Sequence, residues 1–91
     1  MARIDIRRMH GQTLKTAKTR VEKTAKAIAR KFGLDNEWDG DTLNFRRSGV
    51  NGHIHVTQKE VVVIAELGFL LGALKPMIED EIRRQLAEHF D

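Results

Sequence analysis

The sequence predicts an α+β domain in which two helices pack on one face of a mostly antiparallel sheet. Apolar residues recur at helical spacing twice, near the start of the chain and at its end. The segment between these two stretches alternates apolar and polar residues with the period of two that is typical of strands. The predicted order is β-α-β-β-β-β-α. A length of 91 residues is enough for one domain, residues 1–91, with a single core.

The first strand, Ala2 to Arg8, is predicted because apolar residues alternate with charged ones there. Thr13 is the predicted N-cap of the following helix, and Gly33 is its predicted C-cap, with Leu34 folding back on the last turn. The apolar residues of this helix share one stripe at 100° per residue. They are Leu14, Ala17, Val21, Ala25, Ile28 and Phe32.

Turn residues divide the middle of the chain into short strands. Asp39-Gly40 is the signature of a tight hairpin that joins a short preceding strand to a strand from Thr42 to Arg47. Both Ser48-Gly49 and Asn51-Gly52 predict turns, after which a strand containing Ile54 and Val56 begins. Gln58-Lys59 predicts the next turn.

The stretch from Val61 to Leu67 is apolar at nearly every position. Either both of its faces are covered or one face meets a partner. If Val61 and Val63 point to the core, Val62 and Ile64 project from the open face of the sheet, among polar side chains. The polar residues predicted on that face are Arg3, Asp5, Arg7, Thr42, Asn44, Arg46, His53 and His55.

Residues 66–91 predict a strand end followed by a long amphipathic helix. The apolar stripe of this helix is Leu71, Leu74, Ile78, Ile82 and Leu86. Pro76 indicates that the helix either begins near Lys75, with proline in its first turn, or is kinked there. Phe69 and Leu70 would then precede the helix, where they either close the core or form an exposed hydrophobic edge.

The composition is that of a soluble globular protein, with 41% hydrophobic and 32% charged residues. No apolar run approaches the roughly 18 residues of a membrane span. The start of the chain lacks the apolar core of a signal peptide, so we expect a cytoplasmic protein. The absence of cysteine excludes disulfides, thiol catalysis and cysteine-ligated zinc.

The charge is unevenly distributed along the chain. Residues 1–33 contain ten Lys or Arg and two acidic residues, whereas residues 34–91 contain six basic and eleven acidic residues. This asymmetry predicts either a basic face for an anionic partner or pairing between the two halves, within one molecule or across a dimer. The basic face would be the stripe of Lys15, Lys23, Lys26 and Arg30 on the first helix.

No arrangement of residues predicts catalysis, a cofactor or a metal site. His53 and His55 have the spacing of two strand ligands, but no third ligand follows at an informative interval. The carboxylates at Asp39 and Asp41 flank a turn, where nothing raises a pKa towards neutrality. Nucleic-acid binding is also disfavoured, because the basic residues are not interleaved with aromatic side chains that stack on bases.

Several segments of the chain resemble the small bacterial polyhydroxyalkanoic acid system proteins. They are MARIDIRR, RVE, FGL followed by W, GDTLNFRRSGVNGHIHV and ELGFLLGALKPMIEDEIRRQL, of which the last is the most specific. The resemblance implies a cytoplasmic protein associated, through the neighbourhood of its genes, with the synthesis or storage of polyhydroxyalkanoate granules. It implies no catalytic residues.

We therefore expect the protein to bind the granule or granule proteins. Five residues form the predicted hydrophobic surface: Val62, Ile64, Phe69, Leu70 and Leu71. The same residues would serve as a homodimer interface, and we expect a homo-oligomer. Two alternatives are a nucleic-acid-binding module that uses the basic stripe and a small acyl-ligand carrier. The carrier would need a cavity between the terminal helix and four residues of the sheet, Leu43, Phe45, Ile54 and Val56.

Overall fold

A five-stranded sheet with two helices on one face makes up the computed structural model, which describes residues 2–69 and 71–90. In chain order the elements are β1 (Ala2–Met9), α1 (Leu14–Phe32), β2 (Asp35–Asp39), β3 (Thr42–Arg47), β4 (Val50–Val56), β5 (Glu60–Leu67), a single 3-10 turn (Gly72–Leu74) and α2 (Lys75–Phe90). The predicted α+β class and element order are confirmed.

The strand order in the sheet is β1-β5-β4-β3-β2, and every neighbouring pair is antiparallel. Strands β2 to β5 form a meander joined by short turns, and β1 adds beside β5 at the far edge. The connection from β1 to β2 must therefore cross the whole sheet, and α1 makes this crossing. The predicted hairpin at Asp39-Gly40 joins β2 to β3, with Gly40 in the left-handed region at φ 61°.

The core lies between the helices and the inward face of the sheet. Val61 and Val63 on β5 are buried, as are Ile4 on β1 and Ile54 on β4. Val62 and Ile64 are half-buried on the other face of β5, as expected if Val61 and Val63 point to the core. Neighbouring strands flank β5 on both sides, and their side chains partly cover Val62 and Ile64 on the open face.

Both ends of α1 are capped as the sequence predicted. The Thr13 hydroxyl accepts a hydrogen bond from the Thr16 backbone N–H at 3.2 Å. Gly33 takes the left-handed conformation at φ 68°, and the backbone N–H of Leu34 donates to the carbonyl of Ala29 at 3.0 Å.

Asn51-Gly52 was predicted to be a turn, and this prediction is wrong, because both residues lie inside β4. Gly52 stands opposite Phe45 on one side and Ala65 on the other. A Cβ atom at Gly52 would lie 2.8 Å from the Phe45 ring and 2.4 Å from the backbone oxygen of Ile64. This glycine is therefore explained by a close approach inside the sheet and not by a turn.

Of the two alternatives for Pro76, the structure shows the first: α2 begins at Lys75, and the 3-10 turn precedes it. Ile78, Ile82 and Leu86 are buried along α2, as predicted for the apolar stripe. Leu74 does not belong to this buried stripe, because its side chain is 41% exposed.

Candidate hydrophobic binding surface

Exposed apolar side chains recur along the segment that leads from the end of β5 into α2. The exposed fraction is 89% for Phe69, 54% for Met77 and 41% for Leu74. Leu71, between them in sequence, is half-buried and packs against the core. We call Phe69, Leu71, Leu74 and Met77 the sheet-end patch. Small soluble proteins rarely expose several large apolar side chains close together in sequence. This patch is therefore the strongest candidate for a binding surface.

Backbone hydrogen bonds hold the segment that carries the patch against the turn between β3 and β4. The N–H of Gly68 donates to the carbonyl of Gly49 at 2.7 Å, and the N–H groups of Leu71 and Gly72 donate to the carbonyl of Gly68 at 3.1 and 2.9 Å. Gly49 has φ 86°, and a Cβ atom there would lie only 3.1 Å from Leu71 Cδ1. These bonds tie Gly68, the residue before Phe69, to the turn between β3 and β4, and they tie Leu71 to Gly68.

Beneath the patch is a cavity of about 90 Å³ between the helices and the sheet. Phe45, Ala65 and Leu67 line it from the sheet. The rest of the apolar lining comes from the helices, from the patch and from two further positions: Ile28, Phe32, Ile78, Ile82, Leu71, Leu74, Met77, Leu34 and Val50. Arg47 is the polar residue among those that line the cavity, and its Nη1 donates a hydrogen bond to the Phe32 carbonyl at the end of α1.

This cavity differs in position from the one that an acyl carrier was expected to have. The 90 Å³ cavity includes Phe45, one of the four sheet residues named for the carrier cavity. Another of the four, Ile54, lines a narrower gap nearby, of about 10 Å³. Leu43 and Val56 line neither space and are buried in the core.

The predicted hydrophobic surface is divided between two sides of the molecule. Phe69 and Leu71 belong to the sheet-end patch, and Leu70 lies outside the described residues. Val62 and Ile64 project from the open face of the sheet, opposite to the face that borders the cavity.

Val62 and Ile64 are surrounded by polar residues on the open face. In the strand register Val62 lies between Arg7 and His55, and Ile64 lies between Asp5 and His53. Both are half-buried by these neighbours. The open face therefore offers a smaller apolar target than the sheet-end patch.

Leu74 and Met77 are the residues of the patch that the sequence reasoning missed. Leu74 was assigned to the buried stripe, and Met77 was assigned no role. The signal that could have identified them is Pro76, because a helix that begins at Lys75 leaves its first turn beside the loop, where fewer core residues cover it.

The predicted basic stripe lies exposed on the outer side of α1. Lys15, Lys23, Lys26 and Arg30 are all solvent-exposed. Other cations from the basic half of the chain instead pair with carboxylates of the acidic half. The pairs are Lys18 with Asp41 at 3.2 Å, Lys31 with Glu81 at 3.2 Å, and Arg7 with Glu60 at 3.6 Å. Part of the charge asymmetry is therefore compensated within one molecule.

Glu81 is the acidic centre of the contact between the two helices. Its carboxylate accepts hydrogen bonds from Arg84 at 2.6 Å and from Gln85 at 3.1 Å, and it pairs with Lys31 of α1. The hydrogen bonds from Arg84 and Gln85 are the main reason that the pKa of Glu81 is lowered from 4.5 to about 2. These contacts position α2 on α1 and indicate a structural role.

The described residues, 2–69 and 71–90, contain neither a cluster of metal ligands nor a helix suited to spanning a membrane. No group of three or more His, Asp or Glu side chains in this part of the chain could hold a metal ion. His55, one of the two strand histidines, forms a 2.8 Å hydrogen bond between its Nδ1 and the Thr42 hydroxyl. Within the same residues, no helix is long and apolar enough to cross a membrane.

Comparison with known proteins identifies the family. A family model described as a polyhydroxyalkanoic acid system protein matches residues 4–90. No curated protein and no solved structure shows significant similarity to the chain. The name of the family connects it with the polyhydroxyalkanoate system. Since the match covers nearly every residue, the chain is a member of the polyhydroxyalkanoic acid system protein family.

Proposed function

We propose that this protein is a non-catalytic component of the polyhydroxyalkanoate system that binds cytoplasmic polyester granules through the sheet-end patch. The observation that carries the proposal is the exposure of Phe69, 89% of whose surface is in contact with water. Met77 and Leu74 add further exposed apolar surface and also line the cavity.

The strength of such attachment can be estimated from the exposed side chains. Complete burial of a Phe, Leu or Met side chain contributes about 1.5 to 3 kcal/mol. Because the three side chains are already partly buried, their contact with a polymer surface would contribute about 3 to 5 kcal/mol in total. A contribution of this size supports weak, reversible binding, so a granule would be well covered only at a high protein concentration.

The remaining surface suits a protein that coats a particle. Four exposed cations lie along the outer side of α1, and α2 exposes several charged residues, among them Asp80, Arg83 and Glu88. These groups would stay hydrated while the patch contacts polymer. A charged outer layer keeps coated particles dispersed.

A homodimer is the principal competing use of the same surface. Two copies that meet through their patches would hide Phe69 from the granule, and an open sheet face with Val62 and Ile64 offers a second route to self-association. In either case the apolar residues would be buried against the second copy and not against polymer.

The test combines light scattering after size-exclusion chromatography with sedimentation of the purified protein in the presence of isolated polyester granules. We expect a monomer or weak oligomer that pellets with granules, and we expect the pelleted fraction to persist in 1 M salt because hydrophobic contacts are not screened. A stable dimer that remains in the supernatant would refute granule binding and assign the patch to self-association.

A further inference from the structure

We propose that the cavity beneath the sheet-end patch is a binding site for a short straight-chain carboxylate, with Arg47 as the partner of the carboxyl group. The inference goes beyond granule binding, since it concerns a soluble ligand of the free protein. It depends on three properties of the site: the volume of the cavity, its apolar lining and the position of Arg47 at its rim.

The volume limits the length of the hydrocarbon tail. A cavity of about 150 Å³ in another protein accommodates benzene, which has six carbons. By this comparison the cavity of about 90 Å³ holds about four carbons of an extended chain. A six-carbon acid would then place its tail among Ala65, Ile78 and Ile82, with its carboxyl group at the mouth.

The lining excludes a polar tail. Its floor is formed by the sheet residues Phe45, Ala65 and Leu67, and its roof by the helix residues Ile78 and Ile82. A hydroxyl or charged group buried among these side chains would lose its hydrogen bonds to water without replacement. The interior therefore favours a saturated hydrocarbon chain.

Arg47 supplies the charge complementarity at the rim. Its guanidinium has five N–H donors, and one nitrogen, Nη1, is fixed by the hydrogen bond to the Phe32 carbonyl. No carboxylate within residues 2–69 and 71–90 pairs with Arg47, whereas Arg7, Arg83 and Arg84 all have carboxylate partners. The remaining donors can hold a carboxylate in the two-point geometry that arginine favours.

The experiment is a methyl NMR titration of the free protein with butanoate, hexanoate, octanoate and hexan-1-ol. We expect saturable shifts for hexanoate at the methyl groups of Leu67, Ile78 and Ile82, with a Kd on the order of 1 mM. Each added methylene from butanoate to hexanoate should tighten binding roughly fourfold, and octanoate should gain little more because the cavity is then full.

Variants separate the role of the charge from that of the cavity. Arg47→Met retains the apolar stem and should weaken hexanoate binding roughly tenfold or more, while binding of hexan-1-ol stays unchanged. Arg46→Met is the matched control, because Arg46 is the preceding residue of β3 and is exposed on the opposite face. Ala65→Val narrows the cavity and should weaken the binding of both hexanoate and hexan-1-ol.

Three results would overturn the proposal. They are hexanoate shifts that do not saturate or that spread over the whole surface, equal binding of hexanoate and hexan-1-ol, and unchanged hexanoate affinity in Arg47→Met. Because no granules are present in this titration, its failure leaves the proposed granule binding untouched, and the failure of granule binding leaves the carboxylate site untouched.

Discussion

Replacement of Gly52 by alanine tests the packing that shapes both the sheet and the cavity wall. The added Cβ would lie 2.4 Å from the Ile64 backbone oxygen, 2.8 Å from Phe45 Cζ and 2.9 Å from Ala65 Cα. Rotation of the Phe45 ring can relieve one of these contacts, but the other two involve the backbone of β5. Because the strand must move, we expect a loss of about 2 to 3 kcal/mol in the free energy of unfolding.

The assay is equilibrium unfolding in urea followed by circular dichroism. In a domain of this size the expected loss corresponds to a fall in Tm of roughly 10 to 20 °C. Gly11→Ala is the matched control, since a Cβ there meets nothing within 4 Å, and it should change stability by less than about 0.5 kcal/mol. Equal stability of the two variants would refute the close packing of β4 against β5 and Phe45.

Three further predictions concern a helix cap, an ionised carboxylate and the open face. Thr13→Ala should cost about 1 kcal/mol in urea unfolding, because the N-terminus of α1 loses its capping hydroxyl; an unchanged midpoint would show that the cap is dispensable. The lowered pKa of Glu81 stabilises the fold above pH 4.5, and this stabilisation should be lost as the pH falls from 4.5 towards 2. The free energy of unfolding of Glu81→Gln should therefore depend less on pH across this range than that of the wild type. Identical slopes of this free energy against pH would contradict the lowered pKa of Glu81. The double change Val62→Lys and Ile64→Lys should reduce granule sedimentation less than Phe69→Lys; the opposite order would place the contact on the open face.

Local physical chemistry was enough to predict most elements of the fold. The hydroxyl of Thr13 and the left-handed conformation of Gly33 fix the ends of α1 through contacts within a few residues, so the sequence pattern contains them. The Asp39-Gly40 hairpin is determined in the same way. Along β5, by contrast, nearly every position is apolar, so the sequence left open which valines face the core, and the structure places Val61 and Val63 there.

Features that depend on distant residues could not be predicted. Gly52 resembles a turn residue until Phe45 and Ala65 are known to stand on either side of it. The position of β1 beside β5 is a choice among several sheet orders that the alternation of residues leaves open.

The sequence predicted only part of the candidate site, because the exposure of some of its residues also depends on distant parts of the chain. Phe69 stood out as an apolar residue at the end of a strand, whereas the exposure of Met77 depends on where the sheet ends relative to α2. Nothing in the sequence around Arg47 indicated that it would lie beside an apolar cavity, because the other lining residues come from both helices, from β3, β4 and β5, and from the segments that follow α1 and β5.

The most direct test of the proposed function is granule sedimentation of Phe69→Lys compared with Met9→Lys. Both side chains are exposed and apolar, at 89% and 68%, and they lie at opposite ends of the β1–β5 pair. Loss of the Phe69 contact removes about 2 kcal/mol of apolar burial, so the affinity of Phe69→Lys for granules should fall at least tenfold while Met9→Lys binds like the wild type. Equal binding of the two variants would contradict the assignment of granule attachment to the sheet-end patch.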